Sequence, residues 1–593
     1  LVFAAAPTSI EIQDASQWVS AKFGGAHRPE AEHPCIEVHA NNDSVQVNAR
    51  GGKPMNIAGQ EYTRGLYCHA VSRLKVRLPK PGRTLEAVVG VDSNDQTSGG
   101  RGSVVFVVRI GEKEAWNSGA MREGMPGKNA SVDLAGAMEL WLEIGDAGDG
   151  ISCDQADWAD ARVTLDDGTA LWLGDLPIEG AERLPYTDGP FFSFVYDGKP
   201  SSELLPNWKR KRRSQRIDEQ RTRHTLRYSD PATGLEVRCE GVQYHDFPTI
   251  EWTLHFTNTS KTGSPILSGI QAIDTRFDRG ANGEFALFHN KGDNCTADSF
   301  GPLRETLKPG ADKRITNIGG RPTQIAFPYF NLNFGGEGLI FVVSWAGQWS
   351  AQFTRDAGNG LRLRAGQELT RFALLPGEEV RTPMIVLQFY RGGQWHAQNV
   401  WRAWMLAHNV PRPGGKLPPV PNLAACSSHQ FGEMIHANSD SQKFFIEKYL
   451  ERGIKLDYWW MDAGWYWNKT GWPNTGTWEV DTDRFPGGLR PICDFAHERG
   501  VNTIVWFEPE RVTAGTWLAD THPEWIHGGA KGGLLNLGMP EAREWLTDHV
   551  DRLLTKEGID LYRQDFNMDP LSFWRANDAE DRQGITEIRH VEG

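Results

Sequence analysis

Cysteine and long apolar runs are both scarce in this chain of 593 residues. Cys35, Cys68, Cys153, Cys239, Cys295, Cys426 and Cys493 are spread thinly. No C-x-x-C pair or Cys/His cluster occurs, which argues against a structural zinc site. A single disulfide stays open. No apolar stretch reaches the roughly 18 residues that a membrane-spanning helix needs, so membrane insertion is not expected. Positive charge is outweighed, 63 basic against 76 acidic residues for a formal charge of -13. That balance argues against a protein that neutralises nucleic-acid phosphates. An initiating methionine is missing as well. The opening LVFAAAPTS reads as the tail of an apolar export signal with small residues near a cleavage point. It predicts a secreted or periplasmic protein and a start that is incomplete, with a short first strand as the alternative.

What the chain does have is size, glycine and tryptophan. Its length exceeds what one hydrophobic core supports, so several domains are expected. The 64 glycines suit many tight turns. The 23 tryptophans offer broad flat apolar faces that pack cores and can also stack on sugar rings.

Residues 24–175 carry short β-branched runs between glycine-rich turns, as in LEAVVGVDSNDQTSGG and GSVVFVVRIG. Val104 to Ile110 reads as a buried strand, and the segment as an N-terminal β-sandwich. Asp92, Asn94 and Asp95 put hard oxygen donors at close spacing and could hold Ca²⁺. A turn closed by their own side chains accounts for the same pattern. Residues 190–395 alternate apolar and polar positions over many short runs and predict a second, larger sandwich. Residues 396–423 read as a helical linker ending in the proline- and glycine-rich PRPGGKLPPVPNL. From residue 424 the rhythm becomes helix, glycine, short apolar strand, which predicts a parallel β/α fold. Its strands are expected to end near Trp460, Trp506, Leu537 and Tyr562.

In a (β/α)₈ barrel, reactive side chains gather at the C-terminal ends of the strands. Those ends carry Asp462, Glu508, Glu510, Asn536, Asp565 and Asn567. The aromatics Trp459, Trp460, Trp465, Trp506 and Phe507 flank them. Carboxylates accept hydrogen bonds from hydroxyls while aromatic faces pack on C–H patches, so the series points to a polyhydroxylated ligand. Capping of neighbouring helices is the bland account of any single carboxylate here.

The motifs LDYWWMDAGWYW, GTWEVDTDRFPGGL, IVWFEPERV, GLLNLGMPEAREWL and LYRQDFNMDP resemble, in order, those of glycoside hydrolase family 36, the α-galactosidases and their relatives. The resemblance spans about residues 190–593. Ahead of it, YTRGLYCHAVSRLKVRLP, VGVDSNDQ and WNSG resemble the NPCBM family of jelly-roll-like carbohydrate-binding modules. The implied fold is multidomain: an N-terminal β-sandwich over 24–175, a β-supersandwich over 190–395, and the first half of a (β/α)₈ TIM barrel, about strands 1 to 4, over 424–593. The implied activity is retaining, exo-acting release of terminal α-linked galactose from oligosaccharides or glycoconjugates. Two alternatives are an α-N-acetylgalactosaminidase and a non-catalytic carbohydrate-binding protein. Self-association into a homo-oligomer stays open.

Position by position, the resemblance implies Asp565 as nucleophile and Asp462 as a ligand of the sugar hydroxyls. Asn567 would lie beside O2. Glu508 and Glu510 would shape the pocket, and Trp459, Trp460 and Trp506 would wall it. Cys426, Trp478 and Asp483 lie in segments that would approach its mouth. Three positions depart from the family pattern. Arg563 replaces a lysine, Gln564 stands where tryptophan is common, and Met461 replaces the first of two aspartates. Arg563 and Gln564 are therefore where specificity is expected to be set. A retaining glycosidase needs a second carboxyl roughly 5 Å from the nucleophile and no cofactor. That partner would lie on a later strand, so the chain reads as truncated, the general acid/base is expected beyond Gly593, and the isolated fragment is expected to be inactive.

Overall fold

A computed structural model describes residues 6–24, 34–111, 113–180, 190–279, 283–417, 422–468 and 471–593. The apolar opening at residues 1–5, on which the export expectation rests, lies outside the described residues, as does the 418–421 part of the proline-rich boundary. Two compact units divide the chain, residues 26–185 and a second made of residues 1–25 together with 186–593.

The first unit is a sandwich of two largely antiparallel sheets. In the strand Ser72–Arg77, Ser72, Leu74 and Val76 point inward and alternate with more exposed positions, the period-two pattern of a half-buried strand. Phe106 meets Trp158 edge-on at 5.0 Å in the core between the sheets. The Asp92–Asp95 segment is a self-closed turn. Asn94 Oδ1 accepts from the Gln96 amide at 2.9 Å while Asn94 Nδ2 donates to Asp92 Oδ1 at 2.7 Å. Asp92 Oδ2 accepts from the Asn56 amide. Among the described residues no cluster of three His, Cys, Asp or Glu side chains is arranged for a metal ion. All seven cysteines are free thiols, which closes the question of a disulfide.

The alternative of a short first strand in the opening falls largely on residues 1–5, outside the described residues; residues 6–8 are not in a strand, and a helix of the second unit follows them. Helix α1 (Ser9–Phe23) begins at a capping box in which Thr8 and Glu11 satisfy each other's amides. It buries Ala15, Trp18, Val19 and Phe23. Trp18 stacks on Trp252 at 5.3 Å and Phe23 packs against Phe191 at 5.0 Å. Each fully buried side chain of this kind contributes about 1.5–3 kcal/mol. The surface that receives α1 belongs to a ten-stranded antiparallel sheet, which with a four-stranded sheet forms the larger sandwich. The stretch read as a helical linker is helical over Gln394–Trp404 and continues as a π-type turn over Met405–Asn409.

Four strands then form a parallel sheet in the order β1 (Ala424–Cys426), β2 (Tyr458–Met461), β3 (Asn502–Phe507) and β4 (Leu561–Gln564). Helices α2 (Ser439–Glu451), α3 (Arg490–His497) and α4 (Pro540–Glu557) join them in β/α alternation. The proline of α4 sits at its first turn, where a missing N–H costs nothing, and Gly558 ends it at φ 71°, a left-handed conformation that favours glycine. The strand count matches the expectation but its membership does not. Gly532–Leu535 is not a barrel strand; it pairs antiparallel with Arg511–Thr513 and Ile526–His527 in a small separate sheet. The missing member is β1, three residues long and carrying only Ala424, Ala425 and Cys426, too short to show a period.

Beyond β4, α5 (Leu571–Asn577) and α6 (Ile585–Glu592) turn toward the larger sandwich. Arg582–Gln583 pairs with Arg371–Phe372. Buried Glu587 accepts from Trp345 Nε1 and from the Gln348 amide, each at 2.8 Å.

Candidate active site

Parallel register aligns the site. Cys426 pairs with Trp460, Trp460 with Ile504, Ile504 with Leu561, and Trp506 with Arg563. Because side chains alternate along a strand, Trp460, Trp506, Arg563 and then Asp565 share one face. Trp459, Met461, Phe507, Tyr562 and Gln564 take the other, toward the helices.

Asp565 stands one residue past the end of β4, its backbone amide still held by Phe507 O at 2.8 Å. Its Oδ2 accepts from Trp506 Nε1 at 2.9 Å and from Asn567 Nδ2 at 2.8 Å. Its Oδ1 accepts from the Phe566 amide at 2.9 Å, and Arg563 Nη1 lies 3.5 Å from Oδ2. Burial pushes this carboxyl up, but the donors of Trp506, Asn567 and Phe566 and the Arg563 charge outweigh it and hold it below the usual aspartate value. The side chain keeps 30% of its exposure, so it is both ionised at neutral pH and open to a ligand.

The floor beside it is rigid. Glu508 is fully buried; it accepts from the Asn567 amide and from Arg511 Nη2, and Arg511 also donates to Asn567 O at 2.6 Å. Burial raises the Glu508 carboxyl above its usual value despite these donors, with the neighbouring Asp565 charge adding to the rise. Arg563 lies over the Trp460 ring at 4.7 Å, so its charge is fixed between an aromatic face and Asp565. Trp465 donates through Nε1 to Trp506 O at 2.9 Å and steadies the strand that presents Trp506.

A second carboxylate group lies at the end of β2. Asp462 accepts from Ser428 Oγ at 3.1 Å and from the Ala463 amide at 2.9 Å. Glu433 faces it. Burial raises the Glu433 carboxyl, the Asp462 charge raises it further, and Ser428 and Arg563 oppose the rise. The motifs do not reveal Glu433 or Ser428, because both come from the irregular stretch after β1 and belong to no periodic segment. Arg511 was legible only as the third residue after Glu508.

The structure thus brings together Asp462, Arg563, Asp565, Asn567, Trp460, Trp506 and Glu508. It removes two expected pocket residues. Trp459 is fully buried on the helix side, donating to Gln442 Oε1 of α2 at 3.0 Å, so it packs the barrel and walls no pocket. Gln564 also points to the helix side and donates to Glu510 Oε1 at 3.1 Å, while Glu510 Oε2 meets His590 Nε2 at 2.7 Å. Alternation explains both: each is one residue out of phase with the face that carries Asp565. Met461 and Phe507 are buried on that same side. Cys426 ends β1 half-buried. Asn536 follows the small antiparallel sheet, and Asp483 is exposed beside the buried Asp481–Arg484 pair. Trp478 is buried among Trp465, Tyr466, Trp506 and Phe507.

A large antiparallel sandwich followed by parallel β/α units, with carboxylates and aromatics at the strand ends, is the architecture of a sandwich joined to part of a β/α barrel. The comparisons with known proteins name it more closely. Residues 12–164 match the NPCBM/NEW2 domain model and residues 433–590 the Melibiase model. Alpha-galactosidase Mel36A of Lactobacillus acidophilus is 24% identical over 417 residues, covering 67% of this chain and 54% of that protein. Alpha-1,3-galactosidase B of Akkermansia muciniphila is 36% identical over 110 residues, 18% of this chain and 13% of that protein. The crystal structure of the GH36 alpha-galactosidase AgaA from Geobacillus stearothermophilus superposes with a TM-score of 0.56 at 17% identity, covering 68% of this chain and 59% of that one. This chain therefore carries an NPCBM-like N-terminal domain followed by a GH36-type α-galactosidase fold. It spans about half the length of Mel36A and less of the other curated relatives it matches.

Proposed function

We propose that this chain supplies the nucleophile and the first sugar-binding strands of a retaining, exo-acting α-galactosidase. The observation that carries the reading is Asp565: a partly exposed carboxylate at a strand end, held ionised by Trp506, Asn567 and Arg563. Crystal structures of AgaA variants in complex with stachyose and with 1-deoxygalactonojirimycin support galactose chemistry for this fold. In the proposed first step a carboxylate oxygen of Asp565 bonds to the anomeric carbon. The glycosidic C–O bond breaks, and an acid carboxyl protonates the departing oxygen. In the second step that same carboxyl, now a base, takes a proton from water, and the oxygen of that water displaces Asp565 with net retention. Asp462 accepts hydrogen bonds from the sugar hydroxyls, Asn567 sits beside O2, and Trp460 and Trp506 border the ring.

The acid/base carboxyl is proposed to lie outside these residues. Glu508 is pinned by Arg511 and the Asn567 amide, fully buried. Among the carboxylates that follow Asp565, Asp569 pairs with Arg321, Asp578 accepts from the Gly584 and Thr586 amides, Glu587 is buried on the sandwich, and Glu592 pairs with Arg589. Export to a secreted or periplasmic location belongs to the same reading. It rests on the apolar opening, and finding the protein only in the cytoplasmic fraction of its cells would remove it.

The test is hydrolysis of an aryl α-galactoside and an aryl α-N-acetylgalactosaminide by the protein that contains this chain, beside Asp565→Asn. Release from the galactoside, with a loss of about 10³-fold or more in the variant, is expected for a removed nucleophile. Undiminished turnover by the variant, or hydrolysis of neither substrate, sinks the assignment. Preference for the second substrate would move the specificity to N-acetylgalactosamine.

A further inference from the structure

A cavity of about 320 Å³ opens beside the aromatic cluster of the parallel sheet, and neither Asp565 nor Trp506, Asn567 or Arg563 is among its described lining residues. Trp467 and Trp517 flank it, Tyr466 and Trp478 back it, and Thr477 and Glu479 contribute polar atoms. Its volume falls in the ~300–1,000 Å³ range of small-molecule sites, and its lining, broad aromatics with a few polar groups, is typical of them.

Most aromatics in this chain are explained by packing, and the two at this rim differ from each other. Trp517, 46% exposed, stacks on Trp545 at 5.6 Å and meets His522 at 5.5 Å, so part of its ring is structural. Trp467 is 41% exposed and has no ring partner among the described residues. Yet its backbone is held firmly. Asn474 Nδ2 donates to Trp467 O at 2.8 Å, and the adjacent Tyr466 forms a bridge with Val480. A large apolar ring kept in water on a fixed backbone costs solvation, and a stacking ligand is what it fits.

Charge selects among ligands. Among the described residues that line the cavity none is a lysine, arginine or histidine, and Glu479 places a negative charge at its rim, which disfavours a sulfated or otherwise anionic glycan. Glu479 is exposed and makes no hydrogen bond or ion pair among the described residues, which leaves an acceptor for hydroxyl donors. Thr477 Oγ1 takes the Trp517 amide at 3.1 Å and keeps its own proton to donate. A donor, an acceptor and aromatic faces suit a neutral pyranose.

We propose that this cavity is a second, non-catalytic saccharide site that takes a neutral oligosaccharide between Trp467 and Trp517. It lies one aromatic layer from the reaction. Tyr466 and Trp478, its back wall, meet the Trp506 ring at 6.3 Å and 6.1 Å, and Trp506 donates to Asp565. A glycan held there keeps further non-reducing ends close to Asp565. The choice of probe and the link to a reaction at Asp565 rest on the galactosidase reading; the site itself does not.

The test is a calorimetric titration of the protein with raffinose, a neutral α-galactosyl trisaccharide, with and without saturating 1-deoxygalactonojirimycin. Binding is expected to survive both the iminosugar and Asp565→Asn. It should weaken about ten-fold in Trp467→Ala, the effect of one lost aromatic contact. Trp517→Phe keeps a ring against Trp545 and should weaken binding less. Because Trp467 is exposed, Trp467→Ala should melt as the parent protein does, which separates lost binding from lost folding. Raffinose binding that vanishes with Asp565→Asn, or that Trp467→Ala leaves unchanged, overturns the second site. Iminosugar that fails to bind counts against the Asp565 reading alone.

Discussion

Asp157 of the N-terminal sandwich and Asp565 at the rim of the parallel sheet are both aspartates beside tryptophans, and their carboxyls are shifted in opposite directions. Asp157 is fully buried, and neither of its oxygens has a hydrogen-bond donor among the described residues. Burial first, and then the Asp92 charge, push it well above the usual aspartate value, with Arg50 opposing. Asp565 is desolvated too, but the donors of Trp506, Asn567 and Phe566 outweigh that loss. What separates them is the supply of donors, since desolvation acts on both in the same direction. The consequence for stability is also opposite. Asp565 contributes stability above its unfolded value of 3.8 that is lost as pH falls through its lower folded value. Asp157 holds its proton more tightly folded than unfolded, so the fold loses stability as pH rises from about 3.8 toward the raised folded value.

The comparison can be pressed from both ends. The largest effect is expected from Trp506→Phe, which keeps the ring and deletes the donor to Asp565. Turnover of an aryl α-galactoside should fall about ten-fold, the worth of one charge-assisted hydrogen bond. The acid limb of its pH profile should move to higher pH as Asp565 becomes harder to ionise. An unmoved limb would mean that Trp506 does not set the state of Asp565. Smaller, and opposite in sign, is Asp157→Asn. The N-terminal unit's unfolding transition should rise by a few degrees at pH 7 and match the parent near pH 4. A variant that melts lower at pH 7 breaks the contrast. The smallest effect belongs to Gln564→Ala. On the helix side, away from Asp565, it should leave KM within about two-fold, because its partner is Glu510 rather than substrate. A many-fold change in KM would return Gln564 to the pocket.

Much of this was legible in the sequence because strand ends announce themselves. WMDAGW, WFEPE and YRQDFN each place a carboxylate directly after a short apolar run, and the structure sets Asp462, Glu508 and Asp565 at those ends. The faces were less legible. Runs such as DYWWM and VWFEPE are apolar on both sides of the strand, since one side meets the barrel interior and the other the helices, so period two is masked. Trp459 was misplaced for that reason, and Gln564 because it was placed by the family position it occupies rather than by alternation along its strand. Strand β1 escaped notice at three small residues, and Gly532–Leu535 took its place in the count because its local pattern is that of any short strand. Glu433 and Ser428 could not be found from pattern at all, since an irregular segment brings them to Asp462 only through tertiary packing. Helix α1 carried a capping signal in Thr8 and Glu11, hidden beneath the apolar reading of the opening.

That helix has a consequence for synthesis. Its polar anchor is Glu11, which accepts from the Arg391 amide 380 positions later. At the ~5–20 residues per second of a translating ribosome, roughly 20 to 80 seconds separate the two. Over that interval the helix lacks this anchor, and a helix of 15 residues is marginal alone in water. The 26–185 unit emerges in the gap and can fold first, between two ends that both belong to the other unit. Helix α1 therefore waits for the strand that carries Arg391 before its polar anchor can form, and until then it is within reach of a chaperone that recognises aromatic segments.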